Sequence, residues 1–138
     1  MNYRIWLVIG SLLCAFSVAM GAFAAHALKA SLDTYQLSIV ETGARYQMYH
    51  GFAILITTTL GIIFYQNKSS YQISFPFHMI NSLFLVGVIL FSGSLYLLAL
   101  FSLKWVVYMT PLGGVCFIIG WVIFAVCAYK MTLSRQNN

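Results

Sequence analysis

Acidic side chains are almost missing from this chain: Asp33 and Glu41 are the only two among its 138 residues. Charged residues of both signs make up 7% of the chain and hydrophobic ones 62%. A soluble domain carries roughly 25% charged residues, so this inventory cannot form a water-facing shell, and lipid must solvate most of the chain. Asp33 and Glu41 alone do not make a carboxylate pair for acid/base chemistry. Lys and Arg number seven, for a net charge of +5, but they stand singly along the chain. Without a basic cluster nucleic-acid binding is not expected, and isolated cations suit interfacial anchors and orientation signals instead. The three cysteines, Cys14, Cys116 and Cys127, lie inside apolar runs with no C-x-x-C or Cys/His spacing. They read as small packing residues, not as a disulfide frame or a metal site. Ser-His-Asp, H-E-x-x-H, P-loop and G-x-G-x-x-G patterns are also missing. No catalytic, cofactor-binding or metal residue is therefore assigned, and no enzymatic activity is expected.

What is present is hydrocarbon. At this length one domain is expected, with spans at about 5–25, 46–65, 77–101 and 109–129. The first, from Ile5 to Ala25, contains no charge and is long enough to cross a core of about 30 Å at 1.5 Å per residue. Ala22-Phe23-Ala24 imitates a signal-peptidase site, but signal cores run to about 7–15 residues, so this stretch is read as a retained span. Gly10, Cys14, Ser17, Gly21 and Ala25 form a small-residue stripe along it. Gly113, Cys116, Gly120 and Cys127 form another along the fourth span, and both are of the kind that lets membrane helices approach closely. Pro76, after a polar turn at 65–75, and Thr110-Pro111 mark the starts of the third and fourth helices.

The organising stretch is Glu41 to Gly51, E-T-G-A-R-Y-Q-M-Y-H-G. Before it, Leu28, Leu32, Tyr35 and Ile39 alternate in helical period with Lys29, Asp33 and Gln36. This predicts an amphipathic interfacial segment over 27–45, between helices one and two. Ser38-Ile39-Val40-Glu41 matches a capping box and places a helix start at Ile39, with Arg45 one turn beyond Glu41, placed for an ion pair. At 3.6 residues per turn, Glu41, Arg45, Met48 and Phe52 share one stripe. Thr42, Tyr46, Tyr49, Ala53 and Thr57 share a second, with His50 at its edge. The candidate polar cluster is His26, Glu41, Arg45, Tyr46, Tyr49 and His50. His26 ends the first span and His50 opens the second, which places both at one membrane face, with His78 at the other. Two such histidines suit a b-type haem or a metal. Interfacial imidazoles more often hydrogen-bond to backbone or tyrosine, so no cofactor or metal is expected.

The residues thus predict an all-α, polytopic membrane four-helix bundle in the lipid bilayer. Arg4, Lys68, Lys130 and Arg135 on one side against Lys29, Arg45 and Lys104 on the other place both termini in the cytoplasm by the positive-inside rule. The expected role is structural, assembly or accessory, through helix contacts within a homo-oligomer or with a membrane-protein partner. The alternative is a small transporter or ligand-binding protein using the polar cluster where helices one and two meet. A water-filled polar cavity reaching mid-membrane would mark transport, and a dry interior the structural role.

G-A-F-A-A-H-A-L (21–28), E-T-G-A-R-Y-Q-M-Y-H (41–50), L-F-S-G-S-L-Y (90–96), T-P-L-G-G (110–114) and G-W (120–121) occur in an order and spacing that resembles a known family. It is the group of small four-helix bacterial inner-membrane proteins of YgdD/YwdK type, a family of unknown function. The departures, Ala24 where glycine is common and Gly43 where alanine-like residues are usual, exchange small for small. The resemblance implies the fold and a bacterial plasma (inner) membrane location, and it implies no activity.

Overall fold

The computed structural model describes residues 3–66 and 76–136, with side-chain surroundings through residue 130. Helix α1 (Tyr3–His26) is followed by a 3₁₀ turn (Leu28–Ala30) and the long α2 (Thr34–Gln66). Helix α3 (Phe77–Val88) runs through a π turn (Ile89–Gly93) into α4 (Ser94–Phe101), and a second 3₁₀ turn (Lys104–Tyr108) leads to α5 (Met109–Gln136). Four of these helical stretches are long and apolar enough to cross a membrane, and the chain is an all-α, polytopic membrane bundle. Past Gln66, the polar turn expected at 65–75 lies outside the described residues.

The segment 27–45 is not a separate interfacial piece. Its residues from Thr34 onward are the first turns of α2, which has 33 residues and is about 50 Å long at 1.5 Å per residue. The capping box sits five residues earlier than expected. The Gln36 backbone N–H donates to Asp33 Oδ1 at 2.7 Å, and the Asp33 N–H donates to Gln36 Oε1 at 3.1 Å. This reciprocal pair satisfies two backbone donors. Ser38 has no capping role: its hydroxyl donates back to Tyr35 O inside the helix. The upright pose is fixed by burial, because Ile39, Val40 and Ala44 pack with Met20, Ala24, Leu28 and Ala99 in one core cluster. Gln36 Nε2 adds a bond to Ala99 O at 3.2 Å. Asp33→Ala should therefore cost about 1 kcal/mol and Ser38→Ala close to nothing, as read by thermal melting of helical circular dichroism in detergent.

Packing follows a simple order. Helix α1 lies along α2, α2 faces α3 and α4, and α5 packs against α3 and the π turn. Helices α1 and α5 thus hold the outer positions, and Val8, Leu12, Ile118 and Val122 are exposed there, as lipid-facing residues should be. Two crossings are close because glycines meet. A Cβ on Gly51 would stand 2.7 Å from Cys14 Sγ and 3.3 Å from Gly10 O, and one on Gly10 would meet Leu55 and Gly51 O. At the second crossing, Gly113 lies against Phe91 N and Gly87 O. The small-residue stripe of the first span therefore faces α2 at Gly10, Cys14 and Ser17, but beyond them burial passes to Met20 and Ala24, and Gly21 has open space around it. Pro111 falls in the first turn of α5, where its missing N–H costs no helical bond. Thr110 is already helical, and its Oγ1 lies 2.7 Å from Ser94 Oγ instead of capping.

Candidate functional site

Helix α2 lies between α1 and the α3–α4 stretch, so each of its faces has a different neighbour. Its inward face carries Gln47, His50, Thr57 and Thr58, all at most 4% exposed. Polar groups held in an apolar interior must find partners, and these do. Gln47 Nε2 donates to Leu13 O of α1 at 2.8 Å, while Tyr96 of α4 donates its hydroxyl to Gln47 Oε1 at 3.1 Å. One side chain thereby joins three helices. Lower down, Asn81 Nδ2 donates to Thr58 Oγ1 at 2.8 Å, the Thr57 hydroxyl bonds to Asn81 Oδ1, and Thr58 also donates to Ile54 O. Ser17 closes the upper contact by donating to Ala44 O at 2.6 Å.

His50 is at the middle of α2 and of the bundle. Trp121 Nε1 donates to His50 Nε2 at 3.2 Å, and Nδ1 lies 2.8 Å from Tyr46 O. A nitrogen that accepts from an indole cannot carry the proton, so the ring is the neutral Nδ1–H form and donates to the Tyr46 carbonyl. The imidazole stacks on Phe117 with centroids 3.4 Å apart and planes at 8°. Phe84 stands at 5.3 Å and Phe91 stacks on Tyr46 at 4.5 Å, completing an aromatic column between α2, α3 and α5.

The structure does not gather the six candidate residues into one cluster. His26 is exposed at the end of α1, whereas His50 is level with Cys14 through its neighbour Gly51. Twelve residues of α1 separate those levels, about 18 Å at 1.5 Å per residue, so the two histidines do not share a membrane face and cannot ligate one haem. Taking the second span to begin at 46 had placed His50 at the rim, but α2 starts at Thr34, which puts it mid-bundle. His78 does lie at the opposite end, accepting from Trp6 Nε1 at 2.8 Å. Glu41, Arg45 and Tyr49 are exposed on the outward face of α2. Among the described residues Glu41 and Arg45 form no ion pair. Tyr46, at 40% exposure, links two of the others: its ring is 6.3 Å from His50 in the aromatic column and 6.1 Å from the outward Tyr49. Among the described residues no three His, Cys, Asp or Glu side chains come close enough to hold a metal.

The family described as "Protein of unknown function (DUF423)" matches residues 20–114. This chain belongs to the DUF423 family. The match takes in both faces of the Glu41–Gly51 stretch together with Asn81, the π turn and Gly113. It ends before Phe117 and Trp121. A UPF0382 membrane protein of Staphylococcus aureus is 38% identical over 127 residues, covering 92% of this chain and 97% of that protein. The UPF0382 inner membrane protein YgdD of Escherichia coli is 34% identical over 131 residues, 95% and 94% of the two chains. YwdK of Bacillus subtilis is 33% identical over 127 residues, 92% and 98%. No solved structure matches this DUF423 chain. The residues that sequence reasoning did not assign to the site are Gln47, Thr57, Thr58, Asn81, Tyr96 and Trp121. The available signal was cost, since an amide within an apolar run needs a partner there. Ser92 in the π turn is fully buried, and its Oγ is the one buried side-chain polar atom among the described residues without a hydrogen bond.

Proposed function

We propose that this protein is a non-enzymatic structural, assembly or accessory component of the bacterial plasma membrane, working through helix contacts with a second copy or with another membrane protein. One observation carries the reading: apart from Ser92, the buried mid-bundle polar side chains have hydrogen-bond partners within the bundle. Gln47, His50, Asn81, Thr57 and Thr58 have their partners inside the fold. A transport path would need such groups turned toward a passage. The groove of about 460 Å³ between α1 and the π turn and α4 supports the same view. Its walls are Ile9, Leu12, Phe16 and Ile89, with Gln47 and Tyr96 already joined by their own hydrogen bond. Broad exposed apolar flanks on α1 and α5 suit lipid or a neighbouring helix equally well. The relative in Escherichia coli is named an inner membrane protein, which supports the plasma membrane, and the basic residues favour cytoplasmic termini.

Tagged protein isolated from native membranes in mild detergent tests the proposal. The expected product is a complex of defined stoichiometry, either of identical copies or with one membrane partner. A monomer carrying lipid alone, which moves a solute across vesicle membranes after reconstitution, would overturn it in favour of transport.

A further inference from the structure

Charged side chains in a membrane bundle ordinarily turn inward, and α2 does the reverse. Its interior face holds neutral amides, hydroxyls and an imidazole, while Glu41 and Arg45 are exposed. They share the outward stripe with Tyr49, Phe52 and Ile56, which are 54%, 52% and 53% exposed. The level of this stripe follows from neighbours. Ala44, next to Arg45, accepts a hydrogen bond from Ser17. Ser17 is nine residues before the end of α1 at His26, about 13 Å along the axis at 1.5 Å per residue. It is also within a turn of the midpoint of that helix. Any placement of α1 across a core of about 30 Å therefore leaves the backbone of Arg45 at hydrocarbon depth, with Glu41 one turn nearer the rim. Among the described residues neither finds an ion-pair partner within its own chain.

We propose that this outward stripe of α2 is the contact surface for a second copy of the chain, with Glu41 of each copy paired to Arg45 of the other. The inference rests on the assembly role proposed above and assigns it to one face. Charge complementarity favours a second copy, because a two-fold axis along the membrane normal brings the same patch against itself and one stripe supplies both an acid and a base. Their offset also suits the pairing. Side chains on a helix lean toward its N-terminus, which for α2 is the rim, so the Arg45 guanidinium rises from its backbone level toward that of the partner's glutamate. Tyr49 and Phe52 continue the contact below. A phospholipid headgroup could reach Arg45 only by sinking below the interface, and a phosphate would meet Glu41 beside it.

Cysteine cross-linking in native membranes tests this, with Cys14, Cys116 and Cys127 first replaced by Ala. Tyr49→Cys and Phe52→Cys should give covalent dimers, while Val8→Cys on α1 and Ile118→Cys on α5, both exposed, should not. Arg45→Glu or Glu41→Arg added to Tyr49→Cys should reduce the dimer about tenfold, as expected for losing two interhelical polar contacts. Melting of the detergent-solubilised monomer should stay unchanged. Co-expressing the Arg45→Glu and Glu41→Arg copies should restore cross-linking, because each then offers what the other lacks. Dimers through Val8→Cys or Ile118→Cys alone would overturn the assignment while leaving the assembly role standing. Failure of co-expression to restore the dimer would show that the two charges do not meet across copies. A monomer that retains phospholipid and loses it on Arg45→Gln would make the occupant a lipid headgroup and overturn the inference.

Discussion

Gly113→Ala should be among the most damaging single-methyl changes available in this protein. The added Cβ would lie 2.5 Å from Phe91 N, 2.8 Å from Phe91 Cβ and 2.9 Å from Gly87 O. Two of those three atoms are backbone, so no rotamer change relieves the contact and α5 must withdraw from α3 and the π turn. Overpacking costs about 1–3 kcal/mol, and a clash with main chain belongs at the upper end. Withdrawal would also loosen Phe117 and Trp121, which reach His50 from the same helix. Gly114→Ala is the control. A Cβ there meets nothing within 4 Å, and replacing a helical glycine by alanine gains about 0.5–1 kcal/mol. Thermal melting in detergent should therefore move in opposite directions for two adjacent glycines. Equal shifts would mean that α5 does not approach at Gly113.

His50→Ala should cost about 3 kcal/mol, at the lower end of the range for truncating a buried aromatic ring. It removes the stack on Phe117, strands the Trp121 N–H and takes a side-chain donor away from Tyr46 O. His50→Phe separates those contributions. It keeps a flat ring between Phe84 and Phe117 and loses only the hydrogen bonds, so it should recover more than half of the stability. Tryptophan fluorescence during unfolding, with Trp6 and Trp105 replaced by Phe, reads the loss at Trp121. If His50→Phe were as damaging as His50→Ala, the hydrogen bonds rather than the stack would hold α5 to α2.

Much of this was legible in the residues, and the exceptions have physical causes. Uninterrupted apolar runs showed the spans, because few folds other than a membrane helix can satisfy that much backbone without polar side chains. Gly10, Gly113 and Gly120 were readable as close-packing positions. The start of α2 was not. Both Asp33-x-x-Gln36 and Ser38-x-x-Glu41 fit a cap, and the choice was made by tertiary burial of Ile39, Val40 and Ala44. That misplaced start then moved His50 to the rim and created an apparent pair with His26. Two stripes of α2 were also legible, but neither is the buried face: Glu41 and Arg45 are exposed on one, Tyr46 and Tyr49 on the other. The usual preference for inward charges favours Glu41 and Arg45, whereas the fold buries Gln47 and Thr57. The π turn had no signature at all, since nothing in Ile89-Leu90-Phe91-Ser92-Gly93 forbids an ordinary helix.

That widened turn has a consequence for how the chain tolerates change in length. Phe84, Val88, Ser92 and Tyr96 are spaced four apart, and four residues overshoot one α-helical turn by about 40° at 3.6 residues per turn. Three such steps would carry Tyr96 about a third of a revolution away from Phe84 if the winding were regular. A looser winding at 89–93 takes up part of that drift. Phe84 can thereby meet His50 while Tyr96 still reaches Gln47 and lies over Gly43. The segment works as a phase correction between two halves of one rod. Removing a single residue from it would leave a helix of unbroken hydrogen bonding with its two halves still in phase, whereas inserting one would turn the far half about 100° off the surface it was cut to fit.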